Sequence, residues 1–197
     1  MMRYILALPV LLFCVYGCGM QGSYDYEPQR ADNHVYVDTW DYIVQRQDVF
    51  SMLKQTIELC GLQELYTQGD KPYTYLLWDN TAFTRSGGIL AKYANGGGIE
   101  SLDAEAVTNA LLYHIVDGYY HGLGTLTFDP TPVITLWRSQ RAMMTLSIAG
   151  STDVYLYSRL LVNDNLGSGQ RVVAVTSNLI TTNGVIHVLD REAVYTP

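Results

Sequence analysis

Four histidines, three cysteines and a scatter of serines and carboxylates are the side chains here that could carry chemistry. The histidines stand apart, at His34, His114, His121 and His187. None forms the His-x-x-x-His spacing that sets two imidazoles on one helix face, so a zinc site lacks its local ligand pair. Nucleophilic catalysis needs a histidine oriented by a carboxylate beside the nucleophile. Ser147 and Ser158 are available, but neither lies in the Gly-x-Ser-x-Gly turn that presents a reactive serine. The glycine run after Asn95 has neither the lysine nor the strand-before, helix-after setting of a phosphate loop, and reads as a flexible connection. The expectation is therefore no catalytic, metal or cofactor site, with His114 and His187 in hydrogen-bonded structural roles.

The cysteines point to location. Arg3 and the short apolar run from Ile5 to Val15 make a signal sequence too short to span a bilayer. It ends at Val15-Tyr16-Gly17-Cys18, which resembles the lipobox of bacterial lipoproteins. That resemblance implies a signal peptide over residues 1–17, cleavage before Cys18 and lipid attachment at Cys18. Several acyl chains on one cysteine would anchor the chain stably. Gly19 after Cys18 leaves no inner-membrane retention aspartate, which leans by analogy to the outer membrane, with the domain exposed at the cell surface. Residues 18–37 are polar, with Pro28 and alternating tyrosine and acid, and read as a lipidated tether. Only Cys60 then remains in the domain, so no disulfide framework is available and stability must come from the core. Cys60 lies on the apolar face of a helix and reads as a small buried hydrophobe.

The 197 residues are 48% hydrophobic, enough for one globular domain. The net charge of −7 argues against nucleic acid and against attraction to an anionic lipid surface. Sixteen tyrosines against four phenylalanines suit half-buried strands or an interface.

The elements that position these residues follow from periodicity. Asp38 or Thr39 caps a short helix to Val44. A second helix starts at Asp48, with Val49, Phe50, Leu53, Ile57 and Cys60 on one face and Gly61 as its stop. Tyr73–Leu77 is a strand, and Asp79 caps a helix containing Ala82 and Phe83. Asp103 caps another, with Ala104, Val107, Leu111 and Ile115 as its stripe and Gly118 as its end. In its last turn a cationic His114 would be favoured by the helix dipole. Beyond Gly124 the period becomes two. The predicted strands are Thr125–Phe128, Val133–Trp137, Met143–Ile148, Val154–Tyr157, Leu160–Asn163, Val172–Thr176 and Val185–Leu189. Asn183-Gly184 reads as a turn with Gly184 at positive φ. Helices first and strands second argue an α+β fold with mainly antiparallel strands.

Three stretches now resemble the fasciclin domain. Its first motif is close to T-V-F-A-P-T-N-x-A-F. Here Thr74, Asn80, Ala82 and Phe83 match it, while Trp78 and Asp79 replace its proline and threonine. The leucine-preceded Tyr113-His114 pair matches its middle motif. Asn183, Gly184, Val185, Ile186, His187 and Asp190 match its second signature. Together they cover about Asp38 to Thr196, so residues 38–197 read as a fasciclin-like domain. The resemblance implies helices packed on a wedge of strands and a non-catalytic adhesion role, without a cofactor, toward a protein or glycan. It carries partner binding onto Tyr113 and His114. The alternatives are a carbohydrate-binding accessory lipoprotein, using faces among Trp40, Trp78 and Trp137, and a hydrolase.

Overall fold

The computed structural model describes residues 32–139, 143–149, 159–164 and 170–194. The chain divides between Asp32 and Asn33, and the fold below is that of the unit beginning at Asn33.

Two strands form its centre. β1 (Tyr73–Trp78) is a continuous apolar and aromatic run, and all six of its residues are buried. The last strand, β8 (Gly184–Leu189), is buried throughout as well, His187 included. They pair in parallel, Tyr73 opposite Gly184 and Trp78 opposite Leu189. Strands buried on both faces lose the polar alternation of a half-exposed strand, which is why both read as unbroken apolar runs. β2 (Ile115–Asp117) flanks β1 and β7 (Thr176–Thr181) flanks β8, both antiparallel, in the order β2-β1-β8-β7. The second sheet is antiparallel throughout, in the order β3 (Thr131–Val133), β4 (Met144–Ile148), β5 (Leu160–Val162), β6 (Val172–Val173). The α+β expectation with mainly antiparallel strands therefore holds, with the central pair as the parallel exception.

The helices cover the first sheet. α1 (Thr39–Gln45) is capped by Asp38, whose carboxylate accepts the Asp41 N–H at 2.7 Å. α2 (Gln47–Cys60) buries Phe50, Leu53 and Ile57. It ends at Gly61, whose φ of 65° suits glycine, as its spacing predicts. After the single turn α3 (Glu64–Thr67) and β1 comes α4 (Asn80–Thr84), capped by Asp79 through the Ala82 N–H. α5 (Ile89–Tyr93) follows, then α6 (Ala104–Tyr113), capped by Asp103. α2 packs against α4 and α6.

Several expectations are corrected. α6 stops at Tyr113 and not at Gly118, because Ile115 and Val116 are drawn into β2 beside β1. The strand predicted at Thr125–Phe128 is absent there, and Gly122–Thr125 forms a helical turn, α7. Val133–Trp137 is split between sheets. β3 ends at Val133, while Ile134 and Leu136 bond to Asp117 and Ile115 along the edge of β2. Val172–Thr176 is two strands, and β7 runs on to Thr181. Val154–Tyr157 lies outside the described residues. Residues 33–37, read as tether, bond along β7: the Ile180 N–H donates to Asn33 O and the Val35 N–H to Ile180 O. Cys60 is half-buried and not fully enclosed.

Gly184 is corrected in mechanism. The β7–β8 turn consists of Thr182 and Asn183, and Gly184 pairs with Thr181 as the first residue of β8. Gly184 is not among the residues at positive φ. It is glycine because a Cβ there would stand 2.1 Å from Tyr73 O in the neighbouring strand.

Candidate functional site

The motif residues prove to be joints between elements. Asn183 is the densest. Its Oδ1 accepts from the Thr39 N–H at 3.0 Å, from Thr39 Oγ1 at 2.9 Å and from Thr181 Oγ1 at 3.0 Å. Its Nδ2 donates to Tyr66 O at 2.8 Å and lies 3.2 Å from the Tyr75 hydroxyl. One buried amide thus ties α1, α3, β1 and the β7–β8 hairpin. Asn80 does the same for α2 and α4. Its Oδ1 accepts the Met52 N–H at 3.0 Å and its Nδ2 donates to Asp48 O at 3.2 Å. Asp48 O and Met52 N–H are a pair that a regular helix bonds directly, and α2 is non-helical at Phe50 between them. Insertion of a side chain into the ladder accounts for the kink. Thr74 Oγ1 donates to Gly118 O at 2.8 Å and accepts the Tyr120 N–H at 2.9 Å, holding the loop after β2. Ala82, Phe83, Val185 and Ile186 are buried core.

The two buried histidines are neutral clamps of opposite tautomer. His114 Nδ1 donates to Ala110 O at 2.8 Å, and its Nε2 accepts the Ala193 N–H at 2.9 Å. That leaves no free lone pair on the ring to take up a proton, and burial pushes its pKa down to about 4. The hydrogen-bonded role expected of His114 is the one its ring fills, and desolvation outweighs the favour that the helix dipole would give a cationic form. His187 Nε2 donates to Tyr120 O at 3.0 Å, and its Nδ1 accepts from Asn178 N at 3.4 Å. Its pKa is likewise lowered to about 4 by burial. Asn178 sits at a φ of 66°, at the bulge where β7 slips register against β8.

Tyr113 and His114 are 3% and 2% exposed, so neither offers a free face to a partner. The Tyr113 hydroxyl donates to Met143 O at 3.0 Å and accepts from Asn163 Nδ2 at 3.0 Å. Its ring stands edge-on to Trp137, centroids 6.1 Å apart. That contact leads to the surface. Tyr113 forms the inner wall of a groove of about 150 Å³, completed by Tyr93, Asn109, Trp137, Glu192 and Val194. Of the tryptophans, Trp78 is fully buried against Phe83 and His114 and is removed from the glycan-facing candidates, while Trp40 and Trp137 remain partly exposed.

Glu192 forms the far rim. Its carboxylate accepts from the Tyr93 hydroxyl and pairs with Lys92 Nζ at 2.7 Å. Burial and that acidic neighbour push the Tyr93 hydroxyl above its ordinary range. Asp190 lies two residues back along the chain, its pKa held below the ordinary value chiefly by the Arg191 hydrogen bonds. Tyr93, Glu192, Arg85 and Arg191 were not singled out from sequence. No periodicity joins them, and α5 and the segment after β8 meet only in the fold. Among the described residues no three His, Cys, Asp or Glu side chains gather as a metal site would require. No helix among them is long and apolar enough to cross a membrane.

A four-stranded sheet built on a parallel β1–β8 pair, a second antiparallel sheet and asparagine and histidine joints at the motif positions define an α+β domain of two sheets and covering helices. The chain belongs to the fasciclin domain family, which it matches over residues 48–193. It is 32% identical over 143 residues to human periostin, across 72% of this chain and 14% of that protein. It therefore spans about a seventh of that relative's length. A FAS1 domain pair from the insect cell adhesion molecule fasciclin I shares the fold, with a TM-score of 0.57 at 13% identity, covering 81% of this chain and 51% of that one. Fasciclin domains are generally found in cell adhesion proteins and are typically non-catalytic.

Proposed function

We propose that this protein is a lipid-anchored binding module of the bacterial cell envelope, held by Cys18 in the outer membrane and presenting its domain outward to a surface protein or glycan. The observation that carries the binding reading is the division of labour at the motif. His114, His187, Asn183 and Asn80 are spent on backbone and side-chain bonds inside the fold. Histidines at both of whose ring nitrogens a bond is already made have nothing left for acid–base work. This supports a non-catalytic role. What faces solvent beside Tyr113 is the aromatic groove instead. The anchor rests on the Val15-Tyr16-Gly17-Cys18 sequence.

Protease shaving of intact cells tests the outward placement. Rapid loss of the protein, with a periplasmic control untouched, is the expected result. Full protection would place the domain inside the envelope and replace surface adhesion with a periplasmic scaffold role. Membrane release on Cys18→Ala is the matching result for the lipid.

A carbohydrate partner is the second reading. Trp137 and Tyr93 on one groove, with Asn109 of α6 beside them, favour it, because aromatic faces beside a few polar groups suit ring-shaped ligands.

A further inference from the structure

A second concavity lies on the other side of Glu192. Arg85, Ser86, Gly87, Lys92 and Arg191 surround a polar space of about 210 Å³. The chain holds 12 Lys and Arg against 19 Asp and Glu, yet three cations meet here. Two carboxylates accompany them. Asp190 accepts from Arg191 Nε at 3.0 Å and Nη2 at 3.3 Å, and Glu192 pairs with Lys92 at 2.7 Å. Arg85 is held more loosely. Its Nη1 donates to Asp190 O at 3.3 Å and stands 3.7 Å from the Asp190 carboxylate. A guanidinium carries five N–H donors, so this pairing leaves most of them without an acceptor among the described residues, and three cations there face two carboxylates.

The aromatic groove and the basic pocket share Glu192 as their common wall. Their chemistries are complementary to one kind of ligand. Aromatic faces take the C–H side of a sugar ring, and guanidinium groups take a carboxylate or sulfate in bidentate fashion. A peptide of acidic side chains would satisfy the cations. It would leave the groove without a ring to fill it.

We propose that this face binds an acidic glycan, with its carboxylate or sulfate between Arg85, Lys92 and Arg191 and an adjoining sugar ring against Trp137 and Tyr93. The proposal rests on the binding-module reading and names the ligand class for it.

Titration calorimetry on the full-length protein tests it with four probes: a polygalacturonate oligomer, a chondroitin sulfate oligomer, neutral maltoheptaose and polyglutamate. Saturable binding of at least one of the two acidic glycans, weakening with salt, is expected. Maltoheptaose and polyglutamate should bind at least about tenfold more weakly, the scale of one charge-assisted contact. Arg191→Gln is a clean variant, because among the described residues its side chain pairs with the adjacent Asp190 alone. It should weaken binding about tenfold at an unchanged melting temperature. Asp190→Asn removes the competing carboxylate and should tighten binding, which a purely structural role of these residues would not produce. Equal affinity for polyglutamate overturns the glycan assignment, and equal affinity for maltoheptaose overturns the role of charge. No binding by either acidic glycan, or unchanged affinity in Arg191→Gln, overturns the proposal. Shaving still judges surface adhesion separately.

Discussion

His114 Nε2 accepts the backbone N–H of Ala193 at 2.9 Å, joining the end of α6 to the segment that follows β8 across 79 residues of sequence. The same ring donates from Nδ1 to Ala110 O. His114→Phe keeps a ring in the site and removes both bonds. It should cost about 2–3 kcal/mol, since a buried N–H left unpaired costs about 1–3 kcal/mol and the donor to Ala110 is lost as well. Urea unfolding measures the loss. A larger rise in amide exchange at Ala193 than at the residues of β8 would show that this bond, and not general repacking, is responsible.

Acid should destabilise the domain in a defined window. His114 and His187 are held neutral, with pKa values lowered to about 4 from an ordinary 6.5. Above pH 6.5 both folded and unfolded chains carry them neutral, and their contribution is fully present. As pH falls below 6.5 the unfolded chain takes up protons that the folded chain refuses, so stability falls until about pH 4. The loss should reach about 2 kcal/mol per histidine by pH 5. Urea midpoints at pH 7.5, 6.0 and 5.0 test this, and His114→Phe should flatten the decline by about half. A stability flat from pH 7.5 to 5 would contradict the neutral-clamp assignment. Asp190, whose pKa is lowered, adds its own loss only below the ordinary carboxylate value of 3.8.

Gly184 and Gly61 should respond differently to alanine. At Gly184 the new Cβ would meet Tyr73 O at 2.1 Å and force apart the central parallel pair, at a cost of about 3 kcal/mol. At Gly61 nothing lies within 4 Å, and only the φ of 65° opposes alanine, at about 1 kcal/mol. Thermal melts of the two variants settle the order. Equal losses would mean that close approach is not what requires glycine at 184.

Asn183→Ala should be among the most damaging polar truncations in the chain. It strands the Thr39 N–H and Tyr66 O, both buried in the joint between α1, α3 and the hairpin, and should cost about 3 kcal/mol or more. Asn80→Ala, which breaks a partly exposed joint, should cost about 1–2 kcal/mol. A reversed order in denaturant titrations would be inconsistent with the joint as described.

Trp137→Ala should remove partner binding while leaving the fold, because Trp137 lines the groove and is only partly buried. Circular dichroism checks the fold, and binding to whichever partner is first identified checks the loss. Retained affinity would move the contact elsewhere on the domain.

Local patterns were enough to read much of this protein. The helix caps at Asp38, Asp79 and Asp103, the stop at Gly61 and the apolar runs of β1 and β8 depend on neighbours within a few residues, where side-chain chemistry acts directly on the backbone. The three motifs carried the family for the same reason, since each is a contiguous string. Tertiary structure decided what those strings do. Ile115 reads as helix by spacing, yet the free edge of β1 takes it as a strand. Val133 to Trp137 reads as one strand, yet two sheets compete for it. Gly184 reads as a turn glycine, and its actual constraint is a carbonyl 111 positions away in sequence, at Tyr73. The protonation of His114 and His187 follows from burial, which only the assembled core supplies. The groove and the basic pocket depend on α5 and the 190–194 segment meeting around Glu192, a meeting that no periodicity in either segment encodes.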